Sequence, residues 1–344
     1  MADIYSRIIH RKLTGAHLTR QESEALMDQM ISGELSHPRI AAVLTALAAN
    51  TVSSEEMTGF ATVMRDKGDS VQYQSPLMDT CGTGGSGLET VNTSTMAAFV
   101  LSSFGILIAK HGNRASSGKC GSMDVLENLG VNIDISPQDA LAALDACGVA
   151  FLFAPRYHSA VRHVVPVRKE LGFRTVFNFL GPICNPANTQ IQLLGVSDEH
   201  MAPLMLTTLR DLGSQRVMVV RGDDGLDELS LCASSQIWEL RDGQIKTYAF
   251  SPQDIGLELV PFEAISGGDA TQNTSLFLDI LKGQAPTPYL NHLALNAGAG
   301  LYIAGHADSI KLGVQRALQQ IESGAVFQQF ETYRQFTQSL PEHT

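Results

Sequence analysis

Apolar residues recur every three or four positions within residues 1–72, which is the spacing of amphipathic helices. Thr19-x-x-Glu22 and Ser53-x-x-Glu56 have the pattern of helix N-termini, because the hydroxyl and the carboxylate each satisfy a backbone donor there. We therefore predict a small N-terminal helical domain over residues 1–72. One of its buried faces consists of Ile40, Val43, Leu44 and Leu47.

From Pro76 onward, short apolar runs of strand type alternate with helix patterns. Residues 106–109, 149–154 and 217–220 are predicted to be buried strands. A helix is expected at 96–104, just before the first of these strands. Strands separated by helices predict a largely parallel sheet with helices on both of its faces.

Two more strand patterns, 236–240 and 244–248, are joined by an Asp-Gly turn and predict an antiparallel hairpin added to the sheet. The predicted fold class is therefore α/β, with a mostly parallel central sheet in a larger domain at 73–344. Residues 157–171 have a helix-like pattern. Helices from about 156–188 are expected to pack back on the N-terminal helical domain.

The composition excludes several classes of protein. The net charge of −11 at pH 7 argues against general affinity for nucleic acid or for an anionic membrane surface. The five cysteines form no C-x-x-C pair, so neither a disulfide framework nor a zinc site is indicated. Residues 1–11 are polar and charged, and no apolar run has membrane-spanning length. We expect a cytoplasmic protein with no membrane partner.

A glycine-rich loop, C-G-T-G-G-S-G at 81–87, follows a strand-like run. Glycine lets the backbone approach a phosphate closely and turn its N–H groups toward it. A helix N-terminus behind the loop would add further donors and a partial positive charge. A tight turn between strand and helix is the alternative interpretation. The polar side chains that would face the anion are Thr90, Asn92, Ser94 and Thr95.

A second glycine-containing segment, K-H-G-N-R at 110–114, begins a stretch that also contains Ser116, Ser117 and Lys119. Three cations within ten residues of an acidic chain favour an anion-binding site over a solvated basic loop. Two such segments close together in sequence predict a ligand with more than one phosphate.

An acidic segment, D-D-G-L-D-E at 223–228, places four carboxylates at the end of a buried strand. Magnesium typically pairs one or two carboxylates with substrate phosphates. The alternative is an acidic surface turn. Beside a polyphosphate site, we predict that the segment binds Mg²⁺.

The basic segment that follows residue 155 is a candidate for the wall of a second substrate site. For most of its side chains, the polar face of a helix is a sufficient interpretation. At least one arginine is expected to meet an anionic group, because arginine binds carboxylate with two parallel hydrogen bonds. His200 and Cys184 are interpreted as structural. The basic side chains are His158, Arg162, His163, Arg168, Lys169 and Arg174.

These motifs, in this order, resemble the anthranilate phosphoribosyltransferase family over nearly the whole chain. The most specific are 110–114, R-T-V-F-N at 174–178 with L-G-P at 180–182, and G-L-D-E at 225–228. The resemblance implies a helical domain hinged to an α/β domain of the nucleoside phosphorylase and phosphoribosyltransferase type, usually in a homodimer. It implies transfer of the 5-phosphoribosyl group of phosphoribosyl pyrophosphate (PRPP) to the amine of anthranilate. The products are N-(5-phosphoribosyl)anthranilate and pyrophosphate, in tryptophan biosynthesis.

The resemblance, together with the residue types, also implies a set of site residues. Those expected to bind PRPP are Gly82, Gly84, Gly85, Thr90, Asn92, Ser94, Thr95, Lys110, Ser117, Lys119 and Ser122. Those expected to bind anthranilate are Gly82, His111, Asn113, His158, Arg168, Gly181 and Pro182. Those expected to hold magnesium are Ser94, Asp227 and Glu228, and the expected catalytic residues are Lys110, Asp227 and Glu228.

The chemistry agrees with these residue types. Displacing pyrophosphate builds negative charge on the leaving group, which magnesium, Lys110 and loop N–H groups can neutralise. An aromatic amine is unprotonated at neutral pH, so it needs positioning more than deprotonation. No nucleophilic side chain is required.

Some residues depart from the family's usual pattern and leave alternatives open. Ser86 stands where aspartate is usual, Ser159 where proline is usual, and Cys120 where serine is usual, while Glu89 adds a carboxylate. One alternative is a paralogue that uses another aromatic amine. A second is an enzyme like pyrimidine nucleoside phosphorylase, which would use phosphate as its nucleophile. A non-catalytic relative that binds nucleic acid would need a basic groove, which the acidic balance contradicts.

Overall fold

The computed structural model describes residues 4–88, 90–114, 121–268 and 270–341. Over these ranges the helices are α1 (Ile4–Leu13), α2 (Arg20–Ile31), α3 (His37–Ala49), α4 (Ser54–Asp66), α5 (Thr93–Ser102), α6 (Ser122–Asn128), α7 (Pro137–Cys147), α8 (Ala154–Tyr157), α9 (Val165–Leu171), α10 (Phe177–Ile183), α11 (Met201–Asp211), α12 (Ala270–Leu281), α13 (Thr287–Ile303), α14 (Ile310–Glu322) and α15 (Ala325–Ser339). Short 3-10 helices span Ser159–His163, Pro252–Ile255 and Phe262–Ala264. Among the helices of the described ranges, none combines the length and the apolar character that crossing a membrane requires.

The strands form a seven-stranded sheet in the order β3-β2-β1-β4-β5-β6-β7. Strands β1 to β5 pair in parallel, and β6 and β7 add an antiparallel hairpin at one edge. This confirms the predicted α/β class with a mostly parallel sheet and an added hairpin. The strands are β1 (Met78–Gly82), β2 (Ile108–Gly112), β3 (Val149–Phe153), β4 (Ile191–Gly195), β5 (Arg216–Gly222), β6 (Ser235–Arg241) and β7 (Gln244–Phe250).

The central sheet separates two hydrophobic cores. In β5, Val217 and Val219 belong to one core, whereas Met218 and Val220 belong to the other, because successive side chains of a strand point to opposite faces. The core that contains Val217 also includes the buried faces of α2, α3 and α4. The N-terminal helices therefore share a continuous core with one face of the sheet.

Segments from the range 156–188 lie between the N-terminal helices and the sheet. Helix α9 contacts α3, α10 contacts α4, and the 3-10 helix at Ser159–His163 contacts α2. These contacts connect the segment to the N-terminal helices, while its assignment to the helical domain stays a prediction. The boundary between domains at residues 72 and 73 stays a prediction.

Three boundaries differ from the sequence prediction. Helix α5 begins at Thr93 rather than at 96 and follows an N-cap at Asn92. Strand β2 continues to Gly112, because its backbone pairs with β3 beyond the last apolar residue. The helix-like pattern at 157–171 is divided into short helices. Pro166 lies in the first turn of the last one, where a missing backbone N–H breaks no helical hydrogen bond.

A buried ion pair joins α1 to α4. Lys12 Nζ donates to Glu56 Oε1 at 2.8 Å, and neither side chain is more than 2% exposed. Two backbone N–H groups, those of Leu18 and Ser53, also donate to the Glu56 carboxylate. Burial acts to raise the pKa of Glu56, but the hydrogen bonds from Lys12, Ser53 and Leu18 outweigh it and lower the pKa.

We expect Glu56→Gln to lower the free energy of unfolding by about 3 kcal/mol at pH 7, because Lys12 then keeps its buried charge without a partner. Since the pKa of Glu56 is lower in the folded than in the unfolded chain, its stabilisation is complete above the ordinary value of 4.5. It is lost as the pH falls through the folded value. Urea unfolding of the wild type and the variant should therefore converge on acidification.

A matched control is Glu24→Gln, which breaks the half-exposed pair between Arg20 and Glu24 one turn apart on α2. Its expected cost is at most about 0.5 kcal/mol. Equal losses in the two variants would contradict a special contribution from the buried pair.

Candidate functional site

Four parallel strands end in glycine at one edge of the sheet. They are β1 at Gly82, β2 at Gly112, β4 at Gly195 and β5 at Gly222. In open α/β sheets, ligands bind outside the carboxyl ends of the parallel strands. Strands β1 and β4 are neighbours, and Gly82 pairs with Gly195. This edge therefore offers backbone without side chains at the place where a ligand is expected.

Asp227 occupies the space that two of these glycines leave. A Cβ on Gly82 would lie 2.6 Å from Asp227 Oδ2, and one on Gly195 would overlap the Asp227 carbonyl. The N–H of Gly84 donates to Asp227 Oδ2 at 2.8 Å. The predicted phosphate-binding loop and the predicted magnesium-binding segment, 143 residues apart in the chain, thus meet at one site.

The two adjacent carboxylates suit a divalent cation. Burial, followed by the charge of Glu228, raises the pKa of Asp227, so a positive ion would relieve an electrostatic cost. Carboxylate oxygens are ligands that magnesium prefers. Within the described residues no group of three His, Cys, Asp or Glu side chains is arranged to hold a metal. The carboxylate pair itself fits magnesium, which would take its other ligands from substrate oxygens and water.

Lys110 lies inside β2 and is only 2% exposed, so for this residue the solvated-loop interpretation is wrong. Its Nζ donates to the Thr80 carbonyl and to Ser94 Oγ, the latter at 3.0 Å. Burial lowers the pKa of Lys110, whereas the charges of Asp79 and Glu228 act to raise it. A buried ammonium group thus lies within electrostatic range of Glu228.

Two buried histidines, here called the histidine pair, pack against each other beside the end of β2. The rings of His111 and His158 meet edge to face with centroids 5.2 Å apart. His111 Nδ1 donates to the Gly181 carbonyl at 3.0 Å, and His158 Nε2 donates to the Cys184 carbonyl at 2.9 Å. Burial, helped by His158, lowers the pKa of His111 to about 3, so its imidazole is neutral at physiological pH. His111 Nε2 is buried without a partner among the described residues.

The other residues predicted to bind PRPP lie around the first loop and the start of α5. Gly84 and Gly85 have positive φ angles, 64° and 79°, which glycine adopts without strain. Asn92 precedes α5, and the Thr95 hydroxyl is buried without a hydrogen-bond partner among the described residues. Thr90 lies in an isolated β-bridge. Ser117 and Lys119, together with Ser116, Glu89 and Cys120, lie outside the described residues.

The remaining residues predicted to bind anthranilate lie just after β2, in α10 and in α9. The Asn113 carbonyl accepts from Ser122 Oγ at 3.2 Å, which connects β2 to the start of α6. Pro182 follows Gly181 in α10 and is buried. The guanidinium of Arg168 lies over the ring of Phe177, 5.3 Å from its centroid.

Arg174 has a place that the sequence did not predict. It lies between α9 and α10 with its guanidinium over the Phe179 ring, and it reaches the glycine-rich loop instead of a helix face. Its two terminal nitrogens donate to the Gly84 carbonyl at 3.2 Å and to Ser197 Oγ at 3.3 Å. A Cβ on Gly85 would overlap this guanidinium. The spacing of basic residues carries no signal for such a contact.

Sequence reasoning also missed His292. This residue lies on α13 and contacts Glu228, with Nε2 and Oε2 2.8 Å apart. The one available signal was a lone histidine in a strongly apolar helix pattern.

The chain matches two family models along its length. Residues 6–68 match the glycosyl transferase family, helical bundle domain, and residues 74–327 match the glycosyl transferase family, a/b domain. Together they define a glycosyltransferase built from a helical bundle and an α/β domain.

Comparison with individual proteins identifies the family more specifically. The chain is 41% identical to the anthranilate phosphoribosyltransferase of Desulfatibacillum aliphaticivorans, over 97% of this chain and 99% of that protein. It is 45% identical to that of Brevibacillus brevis, over 94% of each. The crystal structure of the Thermus thermophilus anthranilate phosphoribosyltransferase is similar with a TM-score of 0.90 and 39% identity, covering 96% of this chain and 99% of that one. The chain belongs to the anthranilate phosphoribosyltransferase family, as the resemblance of its motifs predicted.

A more distant structure has the same fold. The anthranilate phosphoribosyltransferase of Saccharomyces cerevisiae, solved in complex with PRPP and Mg, has a TM-score of 0.90 at 24% identity. It covers 99% of each chain. This likeness extends the shared fold over the whole length of the chain.

We expect Gly195→Ala to lower the free energy of unfolding by about 1–3 kcal/mol, because the added methyl group displaces the Asp227 carbonyl. Thermal unfolding measures the loss. The control is Gly181→Ala, where a Cβ meets nothing within 4 Å and the residue lies inside α10. The control should keep its stability or gain up to about 1 kcal/mol. An equally stable Gly195→Ala variant would show that the Asp227 loop is not held by this close approach.

Proposed function

We propose that this protein transfers the 5-phosphoribosyl group of PRPP to the amine of anthranilate, with release of pyrophosphate, as a step of tryptophan biosynthesis. The observation that carries the proposal is the contact between Gly84 and Asp227. It joins a glycine-rich loop to a carboxylate pair at the strand edge, on the side of the sheet where Lys110 and the histidine pair are buried. Membership of the family, and the reaction for which its relatives are named, support the same substrates.

The residues around the first loop are assigned to PRPP. The glycine backbone at Gly82, Gly84 and Gly85 would let the phosphates approach closely, and the hydroxyls and amide at the start of α5 would supply donors near a helix N-terminus. Lys110 would stabilise charge on the departing pyrophosphate, because a buried ammonium group is little screened by water. The other residues assigned here are Thr90, Asn92, Ser94, Thr95, Ser117, Lys119 and Ser122.

Asp227 and Glu228 would hold magnesium, with Ser94 as a further oxygen donor. When bound there, magnesium would supply positive charge to the pyrophosphate oxygens and so make them a better leaving group. The yeast relative was solved with PRPP and Mg, which supports this assignment. The raised pKa of Asp227 also supports the assignment. Burial and the charge of Glu228 destabilise the ionised carboxylate, and a bound cation would stabilise it.

A site beside the histidine pair is assigned to anthranilate. The lowered pKa of His111 keeps it neutral, and the aromatic amine carries no charge at neutral pH, so the site has to orient the amine and not to ionise it. His158, Gly181 and Pro182 supply the walls, and Asn113 a polar contact. Arg168 is assigned to the anthranilate carboxylate, because guanidinium groups bind carboxylates with two hydrogen bonds.

A homodimer and a cytoplasmic location complete the proposal. The dimer follows from the family and is tested by light scattering of the purified protein. The location is the expectation for an enzyme of amino-acid biosynthesis.

The first test is the fluorescence of anthranilate in the presence of purified protein, PRPP and Mg²⁺. We expect the signal to fall only when PRPP and Mg²⁺ are both present. Binding of PRPP without loss of signal would indicate another amine acceptor. No binding of PRPP at all would contradict the proposed function.

The paired variant Asp227→Asn with Glu228→Gln should lower turnover by a factor on the order of 10²–10³, because the metal-binding charge is removed. It should unfold at the same temperature as the wild type or higher. Asp227 has a raised pKa in the folded state, so its charged form costs stability at neutral pH. Turnover and thermal unfolding are measured on the same preparation.

The matched control is Asp223→Asn, which removes an exposed carboxylate from the same acidic segment. It should leave turnover within about twofold of the wild type, because a surface charge contributes little. If the paired variant kept full activity, the metal assignment would be wrong.

A further inference from the structure

Helix α13 places two polar side chains against the acidic segment. His292 and Asn296 are four residues apart, so they lie on the same face of the helix. His292 Nε2 lies 2.8 Å from Glu228 Oε2, and Asn296 exchanges hydrogen bonds of 2.9 and 3.0 Å with the backbone N–H and carbonyl of Leu229. Both the Glu228 side chain and the backbone beside it are therefore held by one rigid element.

The contact between His292 and Glu228 is shielded from water. His292 is fully buried, and the Glu228 side chain is 14% exposed. A carboxylate oxygen only accepts hydrogen bonds, so His292 Nε2 donates. The other ring nitrogen, Nδ1, is buried without a partner among the described residues. A buried imidazole with one unpaired nitrogen costs stability, and the hydrogen bond to Glu228 is its one side-chain contact of this kind in the described ranges.

We propose that His292 is a positioning residue for magnesium, and this inference rests on the proposed function. By holding Oε2, His292 fixes the rotamer of Glu228. The other oxygen, Oε1, makes no hydrogen bond within the described part of the chain, and this rotamer would leave it available to the metal. Hydrogen bonds to the far oxygen of a ligating carboxylate orient it, and their loss typically weakens metal binding or activity by about 10–100-fold. Asn296 adds rigidity, because it fixes the backbone of the next residue.

The test compares His292→Gln with His292→Met. The two side chains have similar length and volume, but only glutamine can donate a hydrogen bond to Glu228. We expect the methionine variant to need about tenfold more Mg²⁺ for half-maximal turnover, with the glutamine variant within about threefold of the wild type. Calorimetric titration of Mg²⁺ in the presence of pyrophosphate should rank the affinities of the variants for Mg²⁺ in the same order, in a measurement that involves no turnover. Equal Mg²⁺ dependence of the two variants would overturn the proposal.

Leu293→Ala is the structural control, because Leu293 is a buried apolar neighbour on the same helix. It should lower the unfolding temperature and leave the Mg²⁺ dependence unchanged. An altered Mg²⁺ dependence in this control would show that general loosening of α13 accounts for the effect, against the proposal.

A measurement on the wild type covers the case in which the methionine variant does not fold. The imidazole ¹⁵N resonances of His292, assigned by their absence from the glutamine variant, should shift when Mg²⁺ and pyrophosphate are added together. Unchanged resonances under saturating conditions would overturn the proposal. A protein that binds Mg²⁺ with pyrophosphate in a His292-dependent way, yet consumes no anthranilate, would support the positioning role and count against the proposed acceptor.

Discussion

The close approach of Asp227 to the glycine ends of β1 and β4 is the constraint on which the site depends. Only backbone without a Cβ leaves room there, and the Gly84 N–H then reaches the carboxylate. The contact connects a loop after the first strand with a segment after the fifth. Because the two strands lie on either side of β4 in one sheet, the connection is rigid. Side chains at these strand ends would separate the glycine-rich loop from the acidic segment that carries Asp227.

Around this contact, charges are buried in mutually stabilising positions. Lys110 is nearly inaccessible to water, and the neighbouring Asp79 is fully buried. Burial raises the pKa of Asp79 to about 6, against the charge of Lys110 and a hydrogen bond from Asn185. Buried charges persist when they have partners of opposite sign and hydrogen bonds. A substrate that carries phosphates together with a divalent cation would bring charges of both signs, so each buried group could gain a partner of opposite sign.

The proposed acceptor site lies where the sheet meets the N-terminal helices. His111 comes from β2, whereas His158 and Gly181 come from the segment that packs between the sheet and the N-terminal helices. The geometry of the proposed site therefore depends on the helices of residues 4–66 as well as on the sheet. The buried pair of Lys12 and Glu56 holds those helices together at a distance from the chemistry. Stability in the N-terminal helices and acceptor positioning are connected through this shared packing.

The sequence by itself determined the features that depend on neighbouring residues. The capping boxes at Thr19 and Ser53 form as predicted, Gly148 ends α7, and the Asp-Gly turn forms the hairpin of β6 and β7. Hydrogen bonds of this kind connect residues two to four positions apart, so a linear pattern contains both partners. Strands β2, β3 and β5 followed from the same local patterns, whereas β4 (Ile191–Gly195) was not predicted.

Tertiary structure alone decided which distant residues meet. The extension of β2 through Lys110 requires pairing with β3, and the place of Arg174 requires the glycine-rich loop folded beside it. The contact between His292 and Glu228 requires α13 to pack under the acidic segment. Nothing in a linear pattern carries this information, because each contact depends on the packing of elements that are far apart in the chain. Local chemistry set the elements, and the packing of the sheet edge selected which of their side chains form the site.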